Sequence, residues 1–342
     1  MASLSTDVAV IGAGPIGIEL AVALKRAGVD YQHFDAKQIG YTISWFAPQT
    51  KFFSSNERIA IAGVPLMTAD QSKATREEYL TYLRSVVTQF DLQIHTYEPL
   101  VTIERRDREF MLTTRRADGE RKTRAKRIVL VTGGTDHPRL LNIPGEDLPH
   151  VSHYFEEPHF YFRKRVLIVG GKNSAVEAAL RCYNAGAFVS MSYRREIFPE
   201  KSIKYWLLPE INGLIQSGKI VGHFQTEPTK ITPSHVTLCR RDETFDVPAD
   251  FVLLLVGYRQ DNTLFKLAHV ELHGDCGAPV YNEQTMETNV PGVYVAGTAV
   301  GGTQDKYRVF IENCHVHVDR ILAALTGAEP PPAPHEYKQP ES

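Results

Sequence analysis

Two segments of this chain follow one plan. "DVAVIGAGPIGIELAVALKRAGVDYQHFDA" (7–36) and "RVLIVGGKNSAVEAALRCYNAGAFVSMSYRRE" (165–196) each read as an apolar strand, a glycine-rich turn, an Ala/Leu-rich helix ending near a glycine, and a second strand. That is the βαβ unit of a dinucleotide-binding fold. Its strands are continuous apolar runs, as a parallel sheet covered on both faces requires. A chain of 342 residues has room for two such domains with cores of their own. The expected class is therefore α/β, with two Rossmann-like, three-layer dinucleotide-binding domains.

The two turns differ in chemistry. Gly12, Gly14 and Gly17 form GxGxxG directly after a strand, with Pro15 and Ile16 opening the helix. The first glycine permits the tight turn, the second lets a pyrophosphate approach the backbone, and the third lets helix and sheet pack closely. The helix start supplies amides and positive partial charge to the phosphates. Asp35, followed by Ala36, ends the second strand and is placed to accept hydrogen bonds from an adenosine ribose. The second turn reads Gly170, Gly171, Lys172, Asn173, Ser174, Ala175, with Lys172 where the middle glycine would stand. Its second strand ends in Arg194 and Arg195, where an NAD site would show an acid. Arginine suits a 2′-phosphate, which it binds bidentately, so NADPH is expected over NADH. Lys201 and Lys204 are candidates to extend that basic patch.

Between and after these units come a loop-rich stretch (37–70), a helix near 74–89, a β-rich region (92–131), a late strand in "METNVPGVYVAG" (286–297) and a final helix at about 304–325. This order fits one domain inserted into another. The expected bounds are 1–155 with 287–328 for the first, discontinuous dinucleotide-binding domain, 156–286 for the inserted NADPH domain, and 329–342 for a Pro-rich disordered tail. A net charge of −2 with mixed signs gives no reason to expect nucleic-acid binding. No apolar run is long enough to span a membrane, and no signal-peptide pattern opens the chain, so a cytoplasmic protein is expected. The four cysteines, Cys182, Cys239, Cys276 and Cys314, form no CxxC and no zinc spacing. No His/Glu metal pattern and no catalytic triad stands out.

Two dinucleotide units, one inserted in the other, resemble the thioredoxin-reductase-like flavoproteins. "QTKFFSSNERIAIAGV" (49–64), "HYFEEPHFYF" (153–162), "GGKNSAVEAAL" (170–180), "KSIKYWLLPE" (201–210) and "FIENC" (310–314) are similar to the bacillithiol-disulfide reductase (YpdA-type) branch. The resemblance covers roughly residues 7–325. It implies an FAD protein that takes hydride from NADPH and reduces a low-molecular-weight thiol disulfide. It also makes a homodimer an ordinary expectation. Dithiol members carry a CxxC where this chain has Tyr154 and Glu157; the bacillithiol branch lacks it too. That branch instead has a cysteine in its first glycine turn, at the position of Ile16. Isoleucine is no nucleophile, so the flavin would reduce a disulfide directly or the acceptor is another small molecule. A flavin-dependent oxidase, quinone reductase or monooxygenase-like enzyme, or a non-enzymatic FAD/NADPH-binding sensor, stays open.

The same resemblance marks further candidates. Thr50, Ser54 and Ser55 offer hydroxyls to a flavin ring, Phe52 or Phe53 could pack on it, and Trp45 and Phe46 stand nearby in sequence. Gly133 and Gly257 follow the strands that return the chain between domains. Gly297 and Thr298 open a Gly-rich loop where relatives often place an aspartate on the ribityl chain. The final helix is expected to aim its N-terminus at the flavin, with Cys314 about three turns inside it. His153 and His159 are weaker candidates for a proton donor.

Overall fold

A computed structural model describes residues 4–304 and 308–329. The chain packs as two units. The first comprises the chain up to Ser44, Ser54–His137 and the chain from Tyr258; the second comprises Trp45–Phe53 and Pro138–Gly257. The mixed α/β class holds. The expected breaks at 155 and 286 lie earlier, at 137 and 257. The reason is long-range pairing: Val151–Ser152 joins the second unit's sheet beside Phe251–Leu254. Phe265, Ala268, Val270 and Met286 belong to the first unit's core. Most of the expected tail lies outside the described residues.

In the first unit, the strand Leu4–Ile11 lies between Tyr31–Phe34 and Gly119–Leu130, parallel to both. Ile94–His95 extends one edge in parallel. The long strand Gly119–Leu130 is shared. Its first half pairs antiparallel with Glu109–Arg116, which pairs in turn with Leu100–Arg106. Its last residues pair in parallel with Val293–Val295. The helix Pro15–Arg26 buries Ile16, Ile18, Leu20, Ala21 and Leu24. Each large apolar side chain buried this way contributes about 1.5–3 kcal/mol. The helix Arg76–Gln89 starts at Thr75 with a full capping box to Glu78.

The second unit is three-layered, and alternation along its strands explains why. Its sheet runs Val221–Phe224, Phe188–Tyr193, Arg165–Val169, Phe251–Leu254, Val151–Ser152, all parallel. Val166 and Ile168 point to a core shared with the helix Asn173–Asn184. Leu167 and Val169 point the other way, to a core shared with Ile231, Val236, Leu238 and Val247. Those four lie on an antiparallel sheet of Glu227–Ile231, His235–Arg240 and Glu243–Pro248. A period of two thus gives one apolar run two buried faces.

The sequence echo is also a geometric one. Gly12 N donates to Phe34 O at 2.8 Å and Gly170 N to Ser192 O at 2.9 Å. Val131 N donates to Ile11 O and Leu255 N to Val169 O, both at 2.8 Å. Each first glycine therefore sits between the ends of the two strands that flank its own.

One expected element differs. The final helix is His315–Thr326, preceded by a short 3₁₀ turn at Ile311–Asn313. Side chains hold the approach in another conformation. The Gln304 carbonyl accepts from Arg308 N and Val309 N, and the Asn313 carbonyl accepts from Phe310 N while its amide donates to Arg308 O. Such local bonds compete with helix formation. Cys314 is consequently the helix N-cap rather than a residue three turns inside.

Candidate functional site

The first glycine turn combines two tight positions with one open one. Gly12 has φ +116°, and a Cβ there would stand 2.3 Å from Val131 O. A Cβ on Gly17 would meet Gly12 O at 2.0 Å, whereas one on Gly14 meets nothing within 4 Å. Gly14 itself is extended (φ −74°, ψ −177°). Its lack of a side chain therefore serves space rather than backbone freedom. That open side, at the start of a helix, fits a pyrophosphate. Asp35 organises the same turn: its carboxylate accepts from Ala13 N at 2.6 Å and Lys37 N at 2.7 Å. Burial holds its pKa above the ordinary value although both amides pull it down. A carboxylate has about four acceptor directions, so two amides leave capacity for ribose hydroxyls.

The late strand closes this cluster. Gly297 adjoins Ile16 and Val131, since a Cβ on it would lie 3.5 Å from Ile16 Cβ and 3.4 Å from Val131 Cγ1. A Cβ on Gly133 would be 4.0 Å from Thr298 Oγ1. Ser54 is buried, and Ser55 stands at the N-cap position of the short helix Asn56–Ile59. The first unit thus brings Ile16 beside Gly297, Gly133 beside Thr298 and Asp35 onto the turn 12–17, while Gly14, Pro15, Ala36, Ser54 and Ser55 lie in the same unit. Thr50 and Phe52 fall in the second unit.

Two histidines that sequence reasoning passed over brace the cluster. His33 is fully buried, with Nε2 2.8 Å from Gly12 O; His317 Nδ1 accepts from Gly297 N at 3.2 Å. Burial lowers both pKa values to about 4. Both imidazoles are therefore neutral throughout the ordinary histidine range. Their folded pKa lies below the ordinary 6.5, so their stabilisation is complete above that value and is lost as pH falls toward 4. The shift corresponds to about 3 kcal/mol each. Flavin retention is expected to hold at pH 7 and collapse between about pH 6 and 4. H317N, which keeps an acceptor, should release flavin at lower pH than wild type in a flavin-release titration.

In the second turn, Gly170 (φ +140°) is forced by Leu255 O, 2.4 Å from a Cβ there, and Gly171 by the Tyr193 ring at 2.5 Å. Lys172 resolves the oddity of the missing glycine. It is the exposed helix N-cap at φ −114°, ψ −172°, the same extended state as Gly14, which any residue adopts. Asn173, Ser174 and Ala175 form the first helical turn. Arg194 and Arg195 are exposed just beyond the strand end. Gly257 (φ +104°) closes the unit, its carbonyl accepting from Arg139 N.

Other candidates move away from cofactor chemistry. Lys204 is buried and its ammonium is 2.8 Å from the Glu177 carboxylate, so it does not extend the basic patch; Lys201 stays exposed. His153 pairs with Glu146 at 3.6 Å. His159 is exposed. Trp45 packs edge-on against Tyr154, with 5.2 Å between centroids. Cys182 and Cys314 are fully buried, and burial pushes the Cys182 thiol up to about 12 and Cys314 higher still. Cys239 and Cys276 are partly exposed. Iodoacetamide on the native protein is expected to label Cys239 and Cys276 and spare the other two, read by peptide mass spectrometry. No cluster able to hold a metal occurs among the described residues, and none of their helices is long and apolar enough to cross a membrane.

Residues 9–297 match the family model described as pyridine nucleotide-disulphide oxidoreductase. The bacilliredoxin reductase Bdr of Bacillus subtilis (strain 168) is 35% identical over 322 residues, covering 94% of this chain and 97% of that one. The bacillithiol disulfide reductase Bdr (YpdA) from Bacillus cereus superposes with a TM-score of 0.90 at 33% identity, over 94% of this chain and 99% of that one. A ferredoxin–NADP reductase of Ignicoccus hospitalis is 26% identical, over 85% of this chain and 89% of its own.

Proposed function

This chain belongs to the pyridine nucleotide-disulphide oxidoreductase family, and from that premise we propose an NADPH-dependent FAD oxidoreductase whose acceptor is the disulfide of a low-molecular-weight thiol. The carrying observation is a contrast. Two turns of the same build end in opposite charge, Asp35 in the first unit and Arg194–Arg195 in the second. An acid at the strand end suits a ribose diol, and an arginine pair suits a 2′-phosphate. FAD belongs to the first and NADPH to the second.

Bound FAD would supply the hydride acceptor and the two-electron store. The chain's own residues bind and orient. Gly14 and the helix start at Pro15 receive the FAD pyrophosphate; Asp35 receives the ribose; Gly297 and Thr298 border the remaining chain of the cofactor. Lys172, Asn173 and Ser174 present the NADPH phosphates with donors, and Arg194 and Arg195 select the 2′-phosphate. Net turnover consumes one NADPH, one proton and one disulfide, and releases NADP⁺ and two thiols.

A second reading is favoured by one observation. Ile16, at the position of the branch's cysteine, is packed in the core beside Gly297, so it offers no relay thiol. An acceptor reduced without an enzyme thiol, such as a quinone, follows from this. Anaerobic NADPH oxidation with bacillithiol disulfide, other small disulfides and a quinone separates the two. Two thiols released per NADPH supports the disulfide reading. Turnover with the quinone alone assigns the second.

A further inference from the structure

The strap Trp45–Phe53 leaves the first unit's chain at Ser44, packs as part of the second unit, and returns at Ser54. Buried charge holds it. Lys204 is 6% exposed, and its Nζ donates at 2.8 Å both to Glu177 Oε2 and to Lys51 O. Arg181 donates to Glu177 Oε1 at 3.0 Å and to Pro48 O. Apolar contacts add to this: Ala47 packs on the helix-side core, and Phe53 stacks on Trp206 with 6.3 Å between centroids. The same lysine reaches the second glycine turn. Its backbone N–H donates to Asn173 Oδ1 at 2.6 Å, and Asn173 is the first residue of the helix that ends the turn.

A buried ion pair is a weak source of stability compared with apolar residues of equal size. Its strength is geometric: each charge must stay partnered or bear the desolvation cost. Lys204 therefore pins the strap and the turn to one arrangement. Bonding Asn173 through Oδ1 leaves its Nδ2 donors, the half of the amide an anionic phosphate would use. A phosphate on those donors would hold the amide plane, and with it the Lys204 backbone.

We infer that Lys204 is a positioning residue that couples the dinucleotide turn at Asn173 to the strap Trp45–Phe53, so that a nicotinamide dinucleotide bound at the turn orders the strap. The inference rests on the proposed assignment of NADPH to this turn. Coupling of this kind is a free-energy difference shared by two segments, and it is reciprocal.

Amide hydrogen exchange of the full-length, FAD-loaded protein with and without NADP⁺ tests it, followed in peptides spanning 170–180 and 45–53. In wild type, NADP⁺ slows exchange in both. In K204M, protection persists at 170–180 and disappears at 45–53. K204R restores part of it, and the KM for NADPH rises about 5-fold or more in K204M, the low end of ordinary coupling. Glu177 keeps Arg181 as partner in K204M, and E177Q/K204M removes both charges should the single variant fold poorly. A strap that responds equally in K204M, or one that never responds while 170–180 does, overturns the coupling alone. If neither segment responds to NADP⁺, the nucleotide assignment of the turn falls and the coupling falls with it.

Discussion

Gly12→Ala is expected to purify without flavin and with a strongly lowered melting temperature. The added methyl would stand 2.3 Å from Val131 O, on a backbone at φ +116° that L residues rarely adopt. Neither neighbour has room to retreat: Gly12 N is bonded to Phe34 O and Val131 N to Ile11 O. Strain at such a φ costs about 1–3 kcal/mol, and overpacking adds roughly another 1–3 kcal/mol. Against a total stability of about 5–15 kcal/mol, that is a large fraction. Gly14→Ala is the informative companion. Its methyl touches nothing within 4 Å and its backbone is extended. The variant should melt near wild type and yet hold FAD poorly, because the methyl fills the space a pyrophosphate would enter. Flavin absorbance per protein and thermal melting read both. Equal flavin content in G14A and wild type would remove the pyrophosphate from this turn.

Arg194→Ala/Arg195→Ala should reverse the coenzyme preference. Hydrogen bonds to charged groups contribute about 1.5–3 kcal/mol each, which corresponds to roughly 10–150-fold in kcat/KM for NADPH per arginine removed. NADH lacks the 2′-phosphate, so its kcat/KM should stay within about 3-fold of wild type. Both side chains are exposed at a strand end, so the fold should tolerate their loss. An equal fall for both coenzymes would make the pair structural and leave the 2′-phosphate to other groups.

What sequence reading recovered depended on how local each constraint is. The glycine turns were legible because strand, turn, helix and second strand follow within about 30 residues, and every turn glycine but Gly14 answers a clash inside or beside that unit. The domain bounds were less so. They depend on Val151–Ser152 finding Phe251–Leu254, a hundred residues away. The true start of the last helix was hidden because Gln304 and Asn313 bind nearby backbone, a choice no apolar periodicity records. Lys204 read as a surface cation because its partner Glu177 lies 27 residues back on another element. His33 and His317 carried no signal at all: an isolated histidine in a strand or helix looks the same whether or not it braces a glycine turn.

The absence of a thiol at position 16 also becomes clearer in the folded chain. Ile16 is not an exposed residue standing in for a cysteine; it is core, seated against Gly297 and Val131. The buried Cys182 and Cys314 are held as thiols. Of the four cysteines, only Cys239 and Cys276 are partly exposed, and both proposed readings pass electrons out from the flavin.

The most direct test is anaerobic titration of the purified, FAD-loaded protein with reduced coenzyme while its visible spectrum is recorded. A yellow protein is expected, one that one equivalent of NADPH bleaches promptly and that NADH bleaches far more slowly. A protein that takes up no FAD, or that NADH bleaches as readily as NADPH, would contradict it.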